Sequence, residues 1–169
     1  MKRSLTFLLL LTAFTLHADV IKCGSGWWVK HKQNFGMEKV SLSFPTRPLV
    51  TQNPTMTTAT AWDNATCYTF TGYFPPIGNI HVAAMFEEML NTVSQYPFSI
   101  YQHTTYQNTC GNWVLEYVAQ DTYRNVTIYS FTVVTPFNAY TLQCIQPFGA
   151  KERYLFFRDS LQIYCECGY

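Results

Sequence analysis

Residues 98 to 131 constrain the fold most, because three short, β-branched or aromatic runs follow one another there: Phe98–His103, Asn112–Ala119 and Arg124–Val134. Each is closed by Gly, Asn or Asp, the pattern of adjacent antiparallel strands joined by tight turns. A Trp at 113 and an Asp-Thr-Tyr group at 121–123 lie within the series. If such strands curl into a closed barrel, the interior suits an apolar ligand, so carriage of a small hydrophobic molecule is the first functional expectation.

The start of the chain sets the expected compartment. Lys2 and Arg3 precede an apolar run from Leu5 to Leu16, and the small Ala18 follows, the order of a secretory signal peptide. The run is too short to cross about 30 Å of hydrocarbon as a helix, so residues 1–18 read as a cleaved signal and 19–169 as a single secreted β-rich domain. No later segment is long and apolar enough to span a bilayer once the signal is removed. With 13 Phe, 12 Tyr and 4 Trp against 12% charged residues, the domain has apolar area enough to offset its ordering entropy. Removing Lys2 and Arg3 from the 11 basic residues leaves fewer than the 10 acidic ones, so there is no electrostatic attraction toward nucleic acid.

All 6 cysteines, Cys23, Cys67, Cys110, Cys144, Cys165 and Cys167, lie beyond the signal. An even count in an exported chain implies disulfide staples of open connectivity, with Cys165 and Cys167 too close along an extended chain to bridge each other. No second Cys/His pair accompanies them, so no metal site is expected. Asn64-Ala65-Thr66 and Asn125-Val126-Thr127 are acceptor sequons, placing glycosylation at Asn64 and Asn125 if the host glycosylates secreted proteins.

Alternation places further strands at 24–31, 40–44, 56–62, 66–74, 139–146 and 161–167, with 45–55 as a proline-bearing loop. Val82, Met85, Phe86, Met89, Leu90 and Val93 recur at helical spacing, and 151–159 fits either helix or strand. The sum is a mainly β domain with one or two helices. Trp28, Trp113, Tyr117, Tyr129, Phe131 and Tyr140 are the candidates for lining an interior. Asp63, Glu116, Asp121, His81 and His103 stand apart from any nucleophile motif, and Lys30, His31 and Lys32 read as a solvated strand end. No catalytic residue and no cofactor are expected.

Gly26-Trp27-Trp28 at the first strand, Trp113 in a later one and Asp121-Thr122-Tyr123 leading into the next make the chain resemble the lipocalins. That resemblance implies an antiparallel barrel whose first-strand indole closes one end. The family's Arg after the following strand is replaced by Gln146-Pro147, with Arg153 and Arg158 downstream. Gln95–His103 is similar to the lipocalin domain of violaxanthin de-epoxidases, which implies carotenoid chemistry, although Thr104 stands where that domain has an Asp. The rival expectation is a secreted β-sandwich interaction module, with the same rings filling a solid core and a receptor or host protein as partner.

Overall fold

A computed structural model describes residues 28–74, 81–147 and 151–165. The expected signal peptide, Gly26-Trp27, Cys23 and Cys167 lie outside these residues. Among the described residues ten strands and two helices follow one another: β1 (Val29–Phe35), β2 (Glu38–Phe44), β3 (Leu49–Asn53), β4 (Met56–Asp63), β5 (Thr66–Tyr73), α1 (Val82–Ser94), β6 (Ser99–Gln107), β7 (Trp113–Asp121), β8 (Val126–Val134), β9 (Ala139–Pro147), α2 (Lys151–Asp159) and β10 (Gln162–Cys165).

Tight turns set the registers. Phe35 pairs with Glu38 across a two-residue turn whose first residue, Gly36, has φ +60°, a conformation that glycine adopts without steric cost. Asp63 pairs with Thr66 across Asn64-Ala65, and Asp121 with Val126 across a longer loop; Asn64 and Asn125 take φ 53° and 57°, which Asn tolerates best among non-glycine residues. Both sequon asparagines therefore sit exposed on turns. Asp121 accepts the backbone N–H groups of Tyr123 and Arg124, each at 3.0 Å, so the Asp-Thr-Tyr group is a turn whose chemistry fixes the β7–β8 hairpin.

All strand pairs are antiparallel, in a seven-stranded sheet of order β3-β4-β5-β9-β8-β7-β6 and a three-stranded sheet of order β1-β2-β10. The mainly β expectation is met. The larger sheet ends at β3 and β6, which do not pair, so the expected closed barrel is not found among the described residues. The physical reason lies in where the alternating faces point. One face of the large sheet, with Tyr68, Phe70, Val133, Tyr140 and Leu142, packs onto Phe35, Leu42 and Phe44 of the small sheet and onto Tyr154 and Phe157 of α2. The other face packs Leu115, Tyr117, Ala119 and Ile128 against Phe86, Met89 and Val93 of α1. Both faces are covered by other elements, so closure is not needed to bury them.

The interlayer space is filled. Tyr68, Tyr140, Phe35, Phe44, Phe70 and Phe157 are all below 2% exposed. Phe35 meets Tyr140 edge-on at 5.1 Å, Tyr68 meets Phe157 at 5.2 Å, and Phe70 stacks on Tyr140 at 6.0 Å, the offset and T-shaped geometries that aromatic quadrupoles favour.

Two further differences have local causes. The segment expected as a loop contains β3, whose five residues are all exposed; an edge strand of this kind shows no apolar alternation. The ambiguous 151–159 is helical because Tyr154 and Phe157, three residues apart, fall on one buried side. Helix α1 stops at Ser94, and Pro97 follows closely, which cannot continue a helix.

Candidate functional site

The six candidate lining residues do not converge. Tyr117 lies on the α1 face of the large sheet, where its hydroxyl accepts a hydrogen bond from Gln143 Nε2 at 3.2 Å. Tyr129, Phe131 and Tyr140 lie on the opposite face. Tyr129 stacks on Tyr154 at 4.9 Å, and the half-buried Trp28 packs between Tyr68 at 5.4 Å and Phe156 at 4.6 Å. Trp113 begins β7 and is 42% exposed. Register explains the scatter: residues of opposite parity on one strand face opposite layers.

Openings lined by described residues border the fold. A cleft of about 80 Å³ lies between the β6–β8 part of the large sheet and α2, lined in part by Thr104, Glu116, Val118, Tyr129, Tyr154 and Arg158. Ligand pockets run to roughly 300–1,000 Å³, so this cleft has room for a few waters and not for a carotenoid. Its carboxylate is already engaged: Tyr106 donates to Glu116 Oε1 at 2.7 Å, and Arg158 donates to Oε2 at 3.3 Å. Burial, and then the bond to Glu116, push the Tyr106 phenol up to about 12, so at neutral pH it remains the donor of that pair. Arg158 also donates to Asp159 at 2.8 Å and lies 5.9 Å from the Tyr154 ring centre. With both oxygens accepting, Glu116 is poorly placed as a general base.

The second opening is a groove of about 400 Å³ between β1 and β3, lined by Val29, Lys30, His31, Arg47, Leu49 and Val50 among others. Val29, Leu49 and Val50 stay 40–64% exposed, so it is a solvated depression with a cationic rim. Burial lowers the His31 pKa.

The other titratable candidates are accounted for locally. Asp63 is ion-paired with Arg153 and accepts from Asn64 Nδ2 at 3.1 Å. His81 precedes α1 without capping it through its side chain, and His103 is exposed on β6. Among the described residues no three His, Cys, Asp or Glu side chains gather to hold a metal, and no helix is long and apolar enough to cross a membrane. Sequence reasoning missed Glu38, Thr135 and Asn138, which form a buried cluster between the layers; nothing in the sequence signals that they meet.

Among the described residues Cys67, Cys110 and Cys144 are free, and no disulfide is found there. Cys67 pairs in register with Ile145 and Tyr68 with Cys144, so the two thiols point to opposite faces of the sheet and cannot bridge. Cys110 sits in the β6–β7 turn, at least two strand spacings or about 10 Å from β9, beyond the roughly 7 Å Cα reach of a disulfide. Burial pushes the Cys67 thiol up to about 11 and that of the wholly buried Cys144 higher still. Brief N-ethylmaleimide treatment at pH 8 followed by peptide mapping is therefore expected to label Cys110 while sparing Cys67 and Cys144 until denaturant is added. Rapid labelling of Cys144 in the folded protein would contradict this packing.

No protein-family model matches this sequence, and no curated protein matches it either. Solved structures do. The solution structure of cyanobacterial PsbP (CyanoP) from Synechocystis sp. PCC 6803 is similar with a TM-score of 0.53 and 12% identity, covering 85% of this chain and 98% of that one. A Pseudomonas aeruginosa protein of unknown function, PA94, described as a putative regulator, gives a TM-score of 0.46 and 10% identity over 75% of this chain and 88% of that one. The CyanoP match is a likeness of fold.

Proposed function

We propose that this chain is a secreted interaction module that works by protein contact rather than by enclosing a small molecule. The observation that carries this reading is a set of large aromatic side chains left at the surface along one border of the large sheet, with Tyr106 on the face that packs α2 and Trp113 on the face that packs α1. Tyr101 is 57%, Trp113 42% and Tyr106 38% exposed on β6 and the start of β7. Exposed Tyr and Trp offer large, rigid contact area at low entropic cost, and such residues concentrate at protein interfaces. The filled interlayer core supports the same conclusion, since a carrier needs a hollow that Phe35, Tyr68 and Phe157 here occupy. Secretion rests on the leader at residues 1–18, and the exposed turns at Asn64 and Asn125 are suited to glycans.

The test places a photo-crosslinking residue at Trp113 and, in a separate variant, at Tyr164, which is 51% exposed on β10 of the other sheet. Crosslinked protein at Trp113 and none at Tyr164 is the expected result. Native mass spectrometry of the same preparation should show no added mass from a bound small molecule. A stoichiometric co-purifying lipid or pigment, or equal crosslinking at both positions, would overturn the proposal.

A further inference from the structure

We infer that β6 is a self-pairing edge, along which a second copy of this chain adds its own β6 antiparallel to make one continuous sheet. The inference rests on the interaction reading and names the partner of that border. The two edges of the large sheet are built differently. β3 is five residues long, with Pro48 just before it and Asn53-Pro54 closing it, the short and proline-flanked form that discourages pairing. β6 is nine residues long and contains no Lys, Arg, Asp, Glu or Pro. Among the described residues it pairs with β7 alone, so its outer row of backbone N–H and C=O groups is open. The carboxylate behind it, Glu116 opposite Thr104, is already paired with Arg158 and Tyr106. Two copies can thus approach without like charges meeting.

Symmetry narrows the register. A two-fold axis perpendicular to the sheet pairs identical strands antiparallel and keeps like faces together, so each residue must meet one of its own parity. The irregularity between Ile100 and Gln102 spoils the start of β6 and leaves Gln102–Gln107 regular. The in-phase registers that pair the most of this run centre on Thr104 or on Thr105, placing threonine opposite its own copy, where hydroxyls can hydrogen-bond. A second copy brings an edge of the same nine-residue length that is equally free of charge and proline, so neither strand carries one of the features that discourage edge pairing.

Sedimentation of the whole chain in a Cys110→Ser background should show a dimer. Thr104→Lys/Thr105→Lys should weaken self-association by at least about tenfold with an unchanged far-UV spectrum, because in either register one of the lysines faces its own copy and the other crowds the same edge. Thr51→Lys on β3 should leave it intact. In the same background, Thr104→Cys or Thr105→Cys should give a disulfide-linked dimer on non-reducing gels, because residues opposed across a sheet lie within disulfide reach at about 4.5–5.5 Å between Cα atoms. A monomer at every concentration, or a dimer indifferent to the β6 lysines but sensitive to the one on β3, would overturn self-pairing. A monomer that still crosslinks another protein from Trp113 would sink this inference and leave the module reading standing, whereas a bound lipid would remove that reading instead.

Discussion

Gly72→Ala is expected to destabilise the protein by about 1–3 kcal/mol, the range for forcing an extra carbon into a well-packed core. A Cβ at this position falls 2.2 Å from Phe35 Cε1 and 2.4 Å from Cζ. The ring cannot swing aside, because Phe35 is wholly buried between Phe70 at 5.8 Å, Phe74 at 5.1 Å and Tyr140 at 5.1 Å. Phe35 thus seats the small sheet in a notch of the large one that only glycine leaves open. Phe35→Ala should cost more, about 3–5 kcal/mol, since it empties that notch. The interaction is isolated by Phe35→Leu, which shortens the side chain in the direction of the clash. Urea denaturation of the Gly72→Ala, Phe35→Leu and double variants should give a coupling of at least about 1 kcal/mol, the leucine relieving part of the alanine's cost. Additive costs within about 0.5 kcal/mol would show that the ring is not what excludes a Cβ.

That contact also illustrates what a sequence can and cannot disclose. Strands β4, β5, β8 and β9 are legible because each alternates: Tyr68, Phe70 and Gly72, or Tyr140, Leu142 and Cys144, occupy every second position. Alternation identifies a face without saying what covers it. A face closed upon itself in a barrel and a face covered by β1, β2, β10 and α2 write the same pattern, so barrel and layered sheets separate only when long-range pairing is known. The cysteines teach the same lesson. Their even number suggests bridges, but whether Cys67 can meet Cys144 depends on the parity of the β5–β9 register, which no count contains. β3 escaped notice because both of its faces are solvated, and Asp121-Thr122-Tyr123 resembled a family signature because the turn it forms needs an Asp acceptor at its start. The exposed aromatics of the candidate interface were visible as residues; their exposure was not, since Trp113 and Tyr117 share a face by parity, yet Tyr117 is buried in the cluster with α1 and Trp113 is 42% exposed.

Least legible of all was Glu38, and its removal is expected to be among the most damaging single changes. It directly follows the Gly36-Met37 turn, yet it is 0% exposed. Its Oε2 accepts hydrogen bonds from Asn138 Nδ2 at 2.6 Å, Tyr140 OH at 2.7 Å and Thr135 Oγ1 at 3.0 Å. Asn138 Nδ2 also donates to the Phe35 carbonyl at 3.3 Å, so one cluster ties the β1–β2 turn to the β8–β9 turn across the two layers. Glu38→Ala strands these buried donors, each at a cost of about 1–3 kcal/mol, and the total should reach about 3–5 kcal/mol because truncating one member of a buried polar network leaves the others desolvated. Glu38→Gln separates geometry from charge. These three contacts fall on one oxygen, so the amide can present its carbonyl to the same three donors, with loss of the charge assistance that makes such bonds roughly twice as strong. Glutamine should therefore cost less than half of what alanine does in urea denaturation. Equal losses for the two variants would mean that the negative charge, rather than the acceptor geometry, holds the two turns together.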